Sequence, residues 1–140
     1  MKKIFVTRRL LKENEDKLKE LFDVTLNPND KIYKPEEIIE QSKGFDGILS
    51  SVTDPINAET ISKLSDSIKI IANGAVGFGN IDIEAARKKN ITVTNTPDVL
   101  TDATADIQIL LLLGASRKAY EGRLAAEKQD WKWSWDFLLG

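Results

Sequence analysis

The chain has 140 residues, of which 41% are hydrophobic and 30% charged, with a formal net charge of −2. That length suits one domain with one real core, and charges of mixed sign give no footing for a nucleic-acid or membrane partner. Cysteine and histidine are both absent, which excludes disulfides, a thiolate nucleophile, a zinc site and a Ser-His-Asp triad.

In chain order, Ile4-Phe5-Val6 opens as a strand. Residues 10–22 then place Leu10, Leu11, Leu18, Leu21 and Phe22 at helical spacing among charges. Asp23-Val24-Thr25-Leu26 reads as a second strand, stopped by Asn27-Pro28-Asn29-Asp30. Pro35 starts a helix at its favoured first-turn position, with Glu36 and Glu37 beside the positive end, and Gly44 closes it. Residues 45–50 form a third strand, and a helix follows from Asn57 or Ala58 to Leu64. The near-continuous apolar run 68–72 suits a strand buried on both faces. Asn80 or Asp82 caps the next helix, which ends in Arg87-Lys88-Lys89 and a left-handed turn at Asn90. Ile91-Thr92-Val93-Thr94 is a fifth strand, and a long helix runs from Thr101 to about Ser116, with room to extend toward Glu127.

Five β-α units with short connections predict an α/β fold: a single doubly wound five-stranded parallel sheet, of flavodoxin-like order 2-1-3-4-5. One domain is expected over 1–140, with residues from about 119 an extension ending in Trp131, Trp133 and Trp135. The N-terminal residues turn polar too soon for a signal peptide, and the apolar run 109–113 is far short of a membrane span. A cytoplasmic protein is expected.

In such a fold, ligands bind at the carboxyl ends of strands. After the first strand stands Thr7-Arg8-Arg9-Leu10, without the glycine of a flavin phosphate loop. Thr7 and Ser50-Ser51 stand where a response-regulator receiver needs acids. The glycines gather after the fourth strand, in Asn73-Gly74-Ala75-Val76-Gly77-Phe78-Gly79-Asn80-Ile81-Asp82. Gly77-x-Gly79 is half a dinucleotide fingerprint. Asp82 replaces its third glycine, and the next strand ends in Thr94-Asn95 rather than in a ribose-binding acid. Small residues here let backbone N–H groups converge on a small anion such as a carboxylate, or simply make a turn. Asp82, Glu84 and Asp102 read as caps and first-turn acids, and Arg8-Arg9 as solvated surface.

The glycine segment, followed by Ile91-Thr92-Val93-Thr94-Asn95-Thr96-Pro97-Asp98-Val99-Leu100-Thr101-Asp102-Ala103-Thr104-Ala105-Asp106, resembles glyoxylate and hydroxypyruvate reductases of the D-2-hydroxyacid dehydrogenase family. The Trp-rich tail is similar too. The resemblance implies that the amides of Val76 and Gly77 hold the carboxylate of a small 2-oxo or 2-hydroxy acid, with Ser51 and Val52 bordering the pocket. It implies that Thr104 approaches a nicotinamide only when a nucleotide-binding domain is present, and that the Trp segment reaches a partner subunit. In that family NAD or NADP, and the catalytic Arg, Glu and His, belong to a part beyond the Trp segment. Gly74 and Gly79 depart from the family's usual Tyr and Asp.

These readings lead to one principal expectation: a substrate-binding half that takes no cofactor and supplies no catalytic residue by itself, and is therefore inactive alone. Residues 107–113 are apolar almost all round their helix, which predicts a homo-oligomer through the 101–116 helix. The alternatives are one piece of a two-chain enzyme, or a structural or regulatory oligomer without a ligand. No metal site is expected.

Overall fold

The computed structural model describes residues 1–129. The elements are β1 (Lys3–Val6), α1 (Lys12–Leu21), β2 (Asp23–Thr25), α2 (Pro35–Gln41), β3 (Gly47–Ser50) and α3 (Ala58–Lys63), then β4 (Ile70–Asn73), α4 (Ile83–Lys88), β5 (Thr92–Thr94), α5 (Thr101–Ser116) and α6 (Ala119–Glu127). They fall into two compact units, Met1–Val99 and Leu100–Gly140.

In the first unit the five strands form one parallel sheet of order β2-β1-β3-β4-β5, the order read from the sequence. Register puts Phe5, Ile48, Ile71 and Val93 on one face. That face builds the core with Ile38 of α2, Ile61 of α3 and Ala86 of α4, together with Ile56, Leu64, Ile68, Ile81 and Ile91. Burying each such isoleucine contributes roughly 1.5–3 kcal/mol. The opposite face carries Ile4, Gly47 and Ile70 in register. Leu18 and Phe22, at the end of α1, line a groove there with Ile4, Leu49, Ile70 and Ala72.

Local signals explain the boundaries. Pro35 heads α2, and Glu37 reaches back to the Lys34 N–H at 2.9 Å. Asn57 caps α3 and Asp82, rather than Asn80, caps α4, each accepting from the backbone N–H three residues on. Gly44 and Asn90 take the left-handed conformation, with φ of 77° and 55°. Strands β2, β3 and β5 are shorter than the apolar runs suggest, because pairing stops before Leu26, begins after Phe45 and omits Ile91.

The second unit holds α5 over the span expected of the long helix. It does not run on unbroken: Lys118, at φ 49°, turns the chain into α6. Ile107 and Ile109 to Leu113 are each more than half exposed. Trp131, Trp133 and Trp135 lie outside the described residues. No helix among the described residues is long and apolar enough to cross a membrane.

Candidate substrate site at the strand ends

Buried polar side chains cluster where β1, β3 and β4 end. Thr7, Ser50, Asp54 and Asn73 are all within 3% of full burial. A buried polar group must be hydrogen-bonded or it costs stability, so their partners define the site. The Thr7 hydroxyl donates to Asp54 Oδ2 at 2.6 Å, and the Ser51 N–H donates to the same oxygen at 2.7 Å. Asp54 thereby closes the loop after β3 onto β1. Its other oxygen, Oδ1, is buried without a partner among the described residues.

Asn80 joins that loop to the glycine loop after β4. Its amide NH₂ donates to the carbonyls of Ser51 at 3.0 Å and Asp54 at 3.1 Å. Its oxygen accepts from Asn73 at 3.1 Å, while Asn73 also donates to the Gly77 carbonyl at 3.0 Å and accepts from the Ser50 hydroxyl at 3.1 Å. A flipped Asn80 amide would set its oxygen against two carbonyl oxygens, so the network selects one orientation.

Along the glycine loop, three successive carbonyls are held. Ala75 O accepts from the Thr96 N–H at 2.9 Å, Val76 O from the Asn95 amide at 2.8 Å, and Gly77 O from Asn73. The N–H groups of Val76 and Gly77 meet no acceptor among the described residues. They stand at an exposed turn, Val76 being 37% exposed.

Beside this turn lies a crevice of about 220 Å³ lined by Arg8, Arg9, Asp30, Ser50, Ser51 and Gly74 among others. Arg8 forms a two-pronged pair with Asp30, through Nε at 2.8 Å and Nη2 at 2.9 Å, and donates through Nη1 to Thr53 Oγ1 at 2.8 Å. The arrangement holds the Asp30 carboxyl well below the usual carboxylate range, chiefly through the Arg8 hydrogen bonds and then the Arg9 backbone N–H. Arg8 is accordingly not the solvated surface residue that its position suggests, and Arg9 lines the crevice. Their adjacency at the end of β1 was the available signal.

Of the residues singled out from the sequence, Ser51 lines the crevice, while Val52 is 59% exposed and does not. Val76 and Gly77 occupy the turn after β4, and Thr104 is an exposed residue of α5 in the second unit. Asn73, Asn80 and Asn95 stand in no motif that marks them as site residues; the signal for them is an asparagine at each of three strand or loop ends. The Gly77-x-Gly79 turn does not fit a dinucleotide. The Asp82 carboxylate caps the helix start where a pyrophosphate would approach, and α4 has only six residues. No group of metal-ligating side chains occurs among the described residues.

Residues 4–127 match the family described as D-isomer specific 2-hydroxyacid dehydrogenase, catalytic domain. A glyoxylate reductase of Korarchaeum cryptofilum is 38% identical over 98% of this chain and 41% of its own length. One from Thermococcus kodakarensis is 36% identical over 93% of the chain and 39% of its own length. The chain thus spans about two-fifths of these relatives. Among solved structures, a Polaromonas protein described as a putative NAD-binding D-isomer specific 2-hydroxyacid dehydrogenase superposes with a TM-score of 0.88 at 38% identity, covering 100% of this chain and 44% of that one. The match across the sheet and the glycine loop alike makes the chain a member of the D-isomer specific 2-hydroxyacid dehydrogenase family.

Proposed function

We propose that the Met1–Val99 unit holds the carboxylate of a small 2-oxo or 2-hydroxy acid for an NAD(P)-dependent dehydrogenase of the glyoxylate reductase type. One observation carries this reading: the Val76 and Gly77 N–H groups lie open in the glycine loop, with Ser51 in the loop tied to it by Asn80. Two N–H donors suit the two oxygens of a carboxylate. The nicotinamide nucleotide belongs to a separate nucleotide-binding domain, and Thr104 meets it only where that domain is present. With no histidine, the chain lacks the usual proton donor near neutral pH. These residues are therefore assigned to binding, and the chain by itself is expected not to oxidise NADH with glyoxylate. A cytoplasmic setting belongs to the same reading.

An amide NMR titration with glyoxylate and with glycolate tests it. Shifts concentrated at Val76, Gly77 and residues 50–53 are expected. Shifts spread evenly over the surface, or none at millimolar acid, would remove the assignment.

A second reading concerns assembly. The exposed Ile107, Ile109, Leu110, Leu111, Leu112 and Leu113 of α5 favour a homo-oligomer formed through that helix.

A further inference from the structure

The direction of an N–H group in a loop is set by the carbonyl on the other side of the same peptide bond. No described peptide is cis, and in a trans peptide the C=O of one residue and the N–H of the next point opposite ways. Whatever grips the Val76 carbonyl therefore aims the Gly77 N–H. The grip is the Asn95 side-chain amide, 2.8 Å from Val76 O. The Thr96 N–H, 2.9 Å from Ala75 O, aims the Val76 N–H in the same manner. Both anchors stand just past the end of β5, so both N–H groups turn away from β5. β3 is the other neighbour of β4 in the sheet.

On this basis we infer that Asn95 is a positioning residue for substrate, which pre-aims the Gly77 N–H at the acid's carboxylate. The inference rests on the substrate site proposed above and extends it to a residue outside the loop. The division of labour is chemical. The Val76 N–H is aimed by main chain and survives any side-chain change, whereas the Gly77 N–H is aimed by one side chain. Asn is suited to the position because its NH₂ donates to a carbonyl without adding charge. An aspartate there would set a carboxylate against the Val76 carbonyl and repel the incoming anion. Asn73 adds a second restraint, since it holds the Gly77 carbonyl and so the next peptide plane.

A positioning role separates from a merely structural one because Asn95 is only partly buried and lies outside the hydrophobic core. The test uses the 140-residue chain, unsubstituted and as Asn95→Ala and Asn95→Asp. Residual dipolar couplings of the Val76 and Gly77 N–H vectors are measured without ligand, and the dissociation constant of glyoxylate by amide shifts. In Asn95→Ala the Gly77 coupling is expected to shrink toward an averaged value while Val76 keeps its own. Glyoxylate affinity is expected to fall roughly ten-fold, the scale of one charge-assisted hydrogen bond. Asn95→Asp is expected to bind more weakly still. An unchanged Gly77 coupling in Asn95→Ala would overturn the inference, as would a changed coupling with unchanged affinity. If the unsubstituted chain does not bind glyoxylate, the substrate reading itself fails, and the couplings still show whether Asn95 sets the amide.

Discussion

Asp30 and Arg8, 22 residues apart in sequence, meet side by side, with Nε to Oδ1 at 2.8 Å and Nη2 to Oδ2 at 2.9 Å. This parallel geometry is the strong form of a carboxylate–guanidinium pair, and through Thr53 it also braces the loop after β3.

The pair makes a prediction about acid. Asp30 is held below its ordinary value, so near pH 4 the folded chain binds fewer protons there than the unfolded chain. Its contribution is therefore present at neutral pH, begins to fade as pH falls through about 4, and is lost below the folded value. Glu37, Asp46 and Glu59 are lowered in the same direction by Lys31, Lys2 and Lys63. Urea unfolding midpoints should fall from pH 5 to pH 3, and Asp30→Asn should lower the midpoint at pH 7 while flattening that slope. An unchanged slope in Asp30→Asn would show that the pair contributes nothing to folding.

Thr7 is the side-chain donor to the buried Asp54 carboxylate. Thr7→Val keeps the shape and deletes that bond, leaving only the Ser51 N–H on an acid whose other oxygen already lacks a partner. A loss of about 1–3 kcal/mol is expected, measured by chemical denaturation, with faster hydrogen exchange at Ser51. Thr7→Ser should retain most of the stability.

Two glycines should answer oppositely to substitution. At Gly47 an added Cβ would stand 2.7 Å from Ile70 Cγ2 and 3.1 Å from Ile4 Cδ1, in the middle of the sheet. Gly47→Ala is expected to cost about 1–3 kcal/mol by overpacking. Gly79 has open space around a Cβ and no left-handed φ. Gly79→Ala should therefore stabilise by about 0.4–1 kcal/mol through the unfolded chain's lost freedom. Thermal unfolding of the two variants decides both.

Leu110 and Leu113 are 63% and 55% exposed on α5 and lie one turn apart. If this helix joins copies of the chain, Leu110→Glu with Leu113→Glu should shift the mass measured by sedimentation equilibrium to that of a monomer. A chain that is already monomeric at high concentration, before any substitution, would dispose of that assembly.

Much of this molecule is legible in its sequence, because local chemistry decides it. The alternation of apolar runs with amphipathic stretches sets the β-α order, and Pro35, Asn57, Asp82, Gly44 and Asn90 punctuate it by capping and backbone preference that need no distant partner. The cluster of glycines after β4 marks a turn of exposed main chain. What tertiary structure alone decided are the long-range pairings: Arg8 with Asp30, Thr7 with Asp54, Asn80 with the Ser51 carbonyl, and Asn95 with Val76. An asparagine or arginine carries the same hydrogen-bonding capacity wherever it stands. Its partner is chosen by which strand ends the parallel sheet brings together, and sequence spacing does not contain that adjacency. The same reason turns Arg8 from an apparently solvated charge into a brace, and makes Asn95, at the close of β5, a residue that governs an amide in the loop after β4.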